Sequence, residues 1–413
     1  DVIGLLGKSK VTLGGRISNW AKPRIELKLN AKKLRANELI FPSPRAYLHN
    51  LKGSLVFVGN RVDFNDLHVT LDSGTQVAVE GILQGGKNPE LNLTARAAQA
   101  DIDSVVALWQ GPGKPARSSG KQKLKVVVKA EVAKGTYQGL KVQQATTTIT
   151  SVNSVLRINP LHFSTGGGKC LAKIALQRDA KQNRLLTVSG QIKGVEASTL
   201  QHGKALGKKG LLSGALDGDF QLTGELGANY LPTVDGGFRL TIKDGVLRKF
   251  TFLAKVFSLL NVSQLLTLQL PDMVEEGMPF SRMEGSFALR DGILTTEDLL
   301  VTSNAMNLSL VGDIDLVKEE LDLILGIKPF GTVDKLVTRI PIAGWLLTGE
   351  GKALITAHFE ITGPSQSPKV QAIPVTSISG KVLGIFQRVL GLPGKLITNP
   401  GEVLTGQPQK PAP

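Results

Sequence analysis

The chain has 413 residues, of which 41% are hydrophobic, 20% charged and only 5% aromatic, with 46 glycines. That balance excludes a largely disordered chain and suits short strands and many turns better than a few large helices. The net charge of +15 comes without any nucleic-acid-binding motif, the single cysteine, Cys170, excludes an intrachain disulfide, and no stretch reads convincingly as a membrane-spanning helix.

The opening Asp1-Val2-Ile3-Gly4-Leu5-Leu6 lacks the basic region and long apolar core of a signal peptide. With no initiator Met, the sequence reads as a fragment whose export or anchoring signal lies upstream. Residues 1–109 form a first β-repeat region. In Arg24-Ile25-Glu26-Leu27-Lys28-Leu29, charged and apolar residues alternate, which on a strand sends them to opposite faces. Pro23 and Pro89 each open such a strand, where a missing N–H does least harm.

A larger repeat spans the chain. Leu51-Lys52-Gly53-Ser54-Leu55 matches Met283-Glu284-Gly285-Ser286-Phe287, and 13 residues beyond each glycine comes Asp66-Leu67-His68-Val69-Thr70 or Asp298-Leu299-Leu300-Val301-Thr302. Each copy then reaches a second glycine, Gly81 or Gly312, at offsets that differ by one residue. The unit is predicted as strand, turn, strand, turn, strand, punctuated by glycine.

Residues 110–122 are rich in Gly, Pro and Ser and read as a linker or long loop. A second β-repeat region covers 123–200, and a Gly/Lys-rich loop covers 201–213. From 214 to 370 the alternation predicts a C-terminal β domain with inserted helices. Phe238, Leu240 and Ile242 share one face there, as do Leu308, Leu310, Ile314 and Leu316, and Ala353, Ile355, Ala357, Phe359 and Ile361. Their partners across the strand include Arg239, Thr241, Asn307, Ser309, Thr356, His358 and Glu360, so each strand has one dry and one wet face. Helices are predicted in Phe252–Leu270 and Thr332–Ile340.

The tail, 371–398, is predicted to be helical, and 399–413 to be disordered. In Ile378–Leu390, the residues Ile378, Val382, Ile385, Phe386 and Val389 fall on one side of a helix, with Lys381 and Arg388 on the other. A short basic amphipathic helix can lie on a membrane surface or cap the end of a sheet, and the sequence leaves both open.

No catalytic constellation emerges. His49, His68, His162, His202 and His358 are dispersed, without metal-ligand spacing to one another or to Cys170. Gly166-Gly167-Gly168-Lys169 invites a phosphate-loop reading, but Phe163 and Cys170 stand where that loop needs glycine and a hydroxyl. Asp217-Gly218-Asp219 lacks the remaining ligands of a calcium loop. The expectation is a protein without catalytic residues, metal or cofactor.

A sheet with one apolar face must cover it. It can close into a packed sandwich or barrel, or curl into a trough that holds something apolar, and alternation weighs the two evenly. An acyl chain of about 16 carbons gains on the order of 13 kcal/mol on leaving water, without a specific polar contact. The candidate groove-lining residues are Phe238, Leu240, Ile242, Leu308, Leu310, Ile314, Ile355 and Phe359. The candidate membrane-contact residues are Ile378, Val382, Ile385, Phe386 and Val389.

From Asp217 to about Leu390 the order of motifs is more specific than any one of them. Leu216-Asp217-Gly218-Asp219-Phe220-Gln221-Leu222-Thr223-Gly224 leads into Gly237-Phe238-Arg239-Leu240-Thr241-Ile242-Lys243-Asp244-Gly245-Val246-Leu247. Then come Val256-Phe257-Ser258-Leu259-Leu260-Asn261-Val262 and Gly277-Met278-Pro279-Phe280-Ser281-Arg282-Met283-Glu284-Gly285. Asp291-Gly292-Ile293-Leu294 and Ile340-Pro341-Ile342-Ala343-Gly344-Trp345 complete the series. This part, close to half the chain, resembles the C-terminal region of AsmA-like proteins and is most similar to the YhdP branch. The rest matches only as generic repeats of that family.

The resemblance implies a mainly β protein, an elongated repeated antiparallel sheet curled into an apolar groove with a few short amphipathic helices. It implies a periplasmic location in a Gram-negative cell and an inner-membrane anchor outside this sequence. It further implies phospholipid transport towards the outer membrane, with phospholipid acyl chains, the membrane surface and envelope proteins as partners and no nucleic acid. A rival expectation is a structural or assembly factor for outer-membrane proteins, pairing its sheet edge with client strands. An enzyme assembled across repeats would need polar residues inside the sheet, which the alternation opposes.

Overall fold

The computed structural model describes residues 2–109, 124–179, 183–201, 211–248, 277–329 and 356–390, save for 20, 22, 40, 42, 44, 154, 228 and 305, together with 253, 255, 256, 259, 345 and 346. The predicted linker 110–122, the helix Thr332–Ile340, the candidate Ile355, most of the loop 201–213 and the end 399–413 lie outside these residues. Of the stretch Phe252–Leu270, the described residues Leu253, Lys255, Val256 and Leu259 are helical.

The protein is mainly β, with few short helices, and it divides into two compact units, Asp1–Gly190 and Gln191–Pro413. In the first unit, β1 (Val2–Leu6), β2 (Ser9–Ser18), β3 (Arg24–Arg35), β4 (Tyr47–Val58), β5 (Arg61–Leu71), β6 (Gln76–Gln84) and β7 (Glu90–Asp101) pair in chain order, each antiparallel to the next. Helix α1 (Ile102–Ala107) follows, capped by the Asp101 carboxylate, which accepts from the Asp103 N–H. The chain then returns to lay β8 (Lys125–Tyr137) parallel to β7, the one parallel pair among the described ladders. Strands β9 (Leu140–Val152), β10 (Val155–Thr165) and β11 (Gly168–Arg178) resume the antiparallel order. Strand β12 (Arg184–Glu196) begins in the first unit and ends in the second.

In the second unit the order is β13 (Leu212–Glu225), β14 (Asp235–Leu247), β15 (Met278–Arg290), β16 (Ile293–Thr302), β17 (Met306–Asp315) and β18 (Glu320–Pro329), all antiparallel. Strand β20 (Thr356–Pro364) pairs with β18, and its other edge takes β19 (Trp345–Leu346) and β21 (Lys369–Ala372) at different points. Helix α2 (Gly380–Leu390) comes last. The strands belong to one sheet, and among the described residues no ladder closes it: β1 pairs only with β2, and β21 only with β20.

The repeat seen in the sequence is a doubly bulged hairpin. Register slips occur between His49 and Ser54 in β4, and between Phe64 and Leu67 in β5. The second copy slips between Glu284 and Phe287 in β15, and between Thr296 and Leu299 in β16. Glycine is required where strands cross closely: a Cβ on Gly81 would lie 2.1 Å from the Asn92 carbonyl oxygen, and one on Gly312 would lie 2.2 Å from that of Asp322. Bulges of this kind bend a strand and increase its twist, and so curl the sheet.

Candidate functional site

The register aligns residues of the first unit, nearly all of them apolar, in rows across the strands. The middle row crosses nine strands: Leu27, Leu55, Phe64, Gly81, Leu93, Val128, Ile149, Ile158 and Ile174 are successive partners from β3 to β11. A second row runs beside it: Ile25, Phe57, Val62, Leu83, Leu91, Val126, Ser151, Leu156 and Leu176. The parallel pair β7–β8 preserves both rows, because Leu91 faces Val126 and Leu93 faces Val128.

Every member of the middle row is only half-buried. The unit does have a closed core, at the end of the strands near α1, where Val11, Ala31, Leu34, Leu48, Leu51, Leu71 and Leu108 are buried together. None of the nine row residues belongs to it. The unit thus packs one end and leaves an apolar strip across the middle of its strands.

The opposite face carries paired charges among apolar residues such as Val56, Ile82 and Val127. Arg96 on β7 reaches Glu80 on β6 at 2.7 Å and Glu131 on β8 at 3.2 Å, and Arg16 and Arg24 both reach Glu26. Side-chain hydrogen bonds from Arg24 and then Arg16 hold the Glu26 carboxyl below the usual carboxylate range. Exposed pairs of this kind contribute little to stability. Their effect is to mark which face meets water, not to hold the sheet together.

In the second unit the corresponding face is filled by its own side chains. Of the candidate lining residues, Ile242, Leu308 and Phe359 are 1%, 3% and 2% exposed inside one core with Leu323, Leu325, Ile327 and Ile361. Leu240, Leu310 and Ile314 are partly buried and pack against it. Because β14 and β20 contribute to the same core, the sheet between them is curled. Phe238 stands apart from that core, half-buried and stacked on Phe287 with ring centroids 4.7 Å apart. The structure thus brings six of the eight candidates together.

The other face of this unit corrects the expectation of a wet side. Ser309, Thr356 and His358, assigned to water by alternation, are fully buried. For Ser309 and His358 the cause is the segment that ends in α2: Phe386 packs on His358, Ile378, Leu383, Ile385, Phe386 and Leu390 are buried with Val311 of β17, and Leu300 and Ile324 pack against them. Val382 and Val389 are half-buried in the same cluster. All five candidate membrane-contact residues therefore rest on the sheet in this structure, while Lys381 and Arg388 stay exposed.

Beside α2 lies an open cleft of about 950 Å³, lined among others by Lys193, Asp219, Arg239, Glu284, Asp298 and Arg388. Both signs of charge line it, so it expresses no preference for an anion or a cation. Cys170 faces Phe163 in the first unit, and burial pushes its thiol up to about 11, which leaves it unreactive. Among the described residues no group of three His, Cys, Asp or Glu side chains is placed to hold a metal, and no helix is long and apolar enough to cross a membrane.

The middle row was not singled out from the sequence, which drew attention to the second half of the chain. Its signal was present in the alternation of Ile25 with Leu27, Leu91 with Leu93 and Val126 with Val128. Only the register shows that these pairs align.

In comparison with known proteins, a family model described as YhdP protein matches residues 116–370, more than half of the chain. No curated protein and no solved structure matches it.

Proposed function

The chain belongs to the YhdP family, and from that premise we propose that it is a non-enzymatic lipid-conduit segment. Phospholipid acyl chains lie along the strip from Leu27 to Ile174, and phospholipid moves between the inner and outer membranes, which serves outer-membrane homeostasis. The site of action is the periplasm of a Gram-negative cell, with an inner-membrane anchor supplied outside these residues. The observation that carries the proposal is the nine-strand apolar row, half-buried and separate from the unit's own core. Such a surface holds acyl chains by removing methylenes from water, about 0.8 kcal/mol each. It makes no specific contact, so a chain can slide along it. Contact of α2 with a membrane surface belongs to the same proposal, and requires the face bearing Ile385 and Phe386 to leave the sheet.

The test is photocrosslinking in cells, with a photoreactive residue placed in turn at Leu93, Val128, Ile149 and Ile174, and at Lys129 and Lys173 on the other face. Phospholipid adducts at the first four and none at the two lysines are expected. Adducts confined to the protein itself would sink the conduit.

A second reading, an assembly factor for outer-membrane proteins, draws on β1. Val2, Ile3 and Leu5 are 71%, 74% and 70% exposed, and among the described residues β1 pairs on one side only. An exposed apolar edge is a template for an added strand. That role predicts protein adducts at Ile3 and no lipid at Ile149.

A further inference from the structure

Helix α2 covers a surface that is apolar in part and polar in part. Beneath it, beside the apolar Val311 and Ile324, lie two hydrogen-bonding side chains that are fully buried, Ser309 on β17 and His358 on β20. Among the described residues, Asn307 Oδ1, Ser309 Oγ, Thr356 Oγ1 and both ring nitrogens of His358 are buried without a hydrogen-bond partner. Ser309, Gly326 and His358 are register partners across β17, β18 and β20, so the polar groups lie side by side under the helix. Each orphaned group pays for its lost hydration without a compensating hydrogen bond, a cost recovered when the surface meets water.

Apolar packing on Val311, Leu300 and Ile324 holds the helix down, joined by three polar or ring contacts. Phe386 packs on His358 with centroids 5.4 Å apart. Lys381 pairs with Glu297, an exposed pair, and the Lys328 ammonium donates to the Leu390 carbonyl at 2.9 Å. A helix of 11 residues is marginal alone, so its order depends on this docking.

We propose that α2 is a releasable latch: it docks over a strand face that carries buried, unpaired polar groups, and uptake of a proton by His358 lifts it off. The inference does not depend on lipid carriage and holds or fails without it.

The charges around the imidazole make the switch one-sided. On β18, Gly326 stands opposite His358, and the next residue on that face, Lys328, is a cation already committed to Leu390. On β20 itself Glu360 accepts from Gln371 of β21, and on β16 Glu297 pairs with Lys381 of α2. Ser309 of β17 is neutral, and Arg388 of α2 is exposed. Among the described residues no carboxylate pairs with the ring, so an imidazolium there would have no counter-ion.

Burial moves the His358 pKa down from 6.5 to about 4 while the helix is docked. The docked state therefore holds the neutral ring. Docking is at full strength above pH 6.5, weakens as pH falls below that value because the released form takes up the proton, and stops weakening below about 4. At pH 5 the docking equilibrium should fall about 30-fold relative to pH 7.5.

The experiment is amide hydrogen exchange of the full chain at pH 7.5 and pH 5, corrected for intrinsic rates, with the β14 amides as internal reference. Protection of the α2 amides should drop about 30-fold at pH 5, while β14 keeps its protection. His358→Leu should abolish that drop, and if it does not fold, His358→Asn answers the same question. Gly326→Val supplies the released reference at pH 7.5, since a Cβ there would sit 3.2 Å from Leu390 and 3.3 Å from Phe386. Equal α2 protection at both pH values in the wild type would overturn the latch. So would a drop that survives in the His358 variant, or one that β14 shares.

Discussion

Placing one carboxylate on each of the two apolar faces separates an open strip from a packed core. Leu325 on β18 is 2% exposed and lies in the core with Phe359 and Leu308. Removing such a side chain costs about 2–5 kcal/mol, and an unpaired carboxylate in its place adds several more, so Leu325→Asp should cost about 5 kcal/mol or above. Ile149 on β9 is half-buried between Val128 and Ile158. Full burial of an isoleucine contributes about 1.5–3 kcal/mol, and part of that is already forgone at an open surface. The new carboxylate would also keep its water there. Ile149→Asp should therefore cost only about 1–2 kcal/mol. Hydrogen exchange of the β9 and β18 amides reads each cost locally, without assuming that the two units unfold together. If Ile149→Asp proved as destabilising as Leu325→Asp, the middle of the first unit would be a packed core and the open strip would be wrong.

Other consequences follow from single contacts. Gly312, at φ +133° and with its Cβ position 2.2 Å from the Asp322 carbonyl oxygen, should lose at least about 1–3 kcal/mol as Gly312→Ala. Gly380→Ala, with nothing within 4 Å, should be neutral or stabilising by up to about 1 kcal/mol. Chemical denaturation of the two variants checks both. Desolvation alone would raise the Glu196 carboxyl, but hydrogen bonds from the Ser198 and Gly214 N–H groups outweigh it and hold the pKa below the usual range. Its contribution is thus complete at neutral pH and is lost as pH falls through the lowered value. The stability gap between wild type and Glu196→Gln should accordingly close in acid, and a gap unchanged at low pH would contradict this. Cys170, buried and with its thiol pushed up to about 11, should resist maleimide at pH 7.5 in the folded chain and react promptly in denaturant. Rapid labelling of the native protein would show that its strand opens.

Alternation was enough to read the strands and the curled, mainly β fold, because a residue's face on a strand follows from its position alone. The glycine repeat was legible for a related reason. Gly53 and Gly285 recur because their Cβ positions would press on Leu67 and Leu299, and Gly81 and Gly312 because theirs would meet a carbonyl oxygen. Which strands lie side by side is a different matter. The row from Leu27 to Ile174 depends on eight register relations, two of them across the parallel pair and the bulge near Ile158. No single segment of sequence carries that information. The parallel return from β7 to β8 leaves no local mark either, since α1 and the residues after it only need to be long enough to cross.

The burial of His358 was not legible for the same reason, and the cause can be traced to a single element. On β20, Thr356, His358 and Glu360 alternate with Ala357, Phe359 and Ile361, a pattern that reads as a wet face. It would be wet if β20 were the only determinant. What dries it at His358 is α2, a segment that begins 16 residues beyond the end of the strand, 380 − 364, and whose apolar side is equally suited to sheet or membrane. The two units therefore present the same strand chemistry in opposite circumstances. In the first, no element among the described residues covers the apolar middle of the strands. In the second, the apolar face is filled and a face that is polar in part is covered by a helix. A bare apolar face, and a covered one with unpaired polar groups, are the two places where this fold carries a cost in stability. Both costs fall when something else arrives: an acyl chain on the bare strip, and water on the covered row once α2 departs.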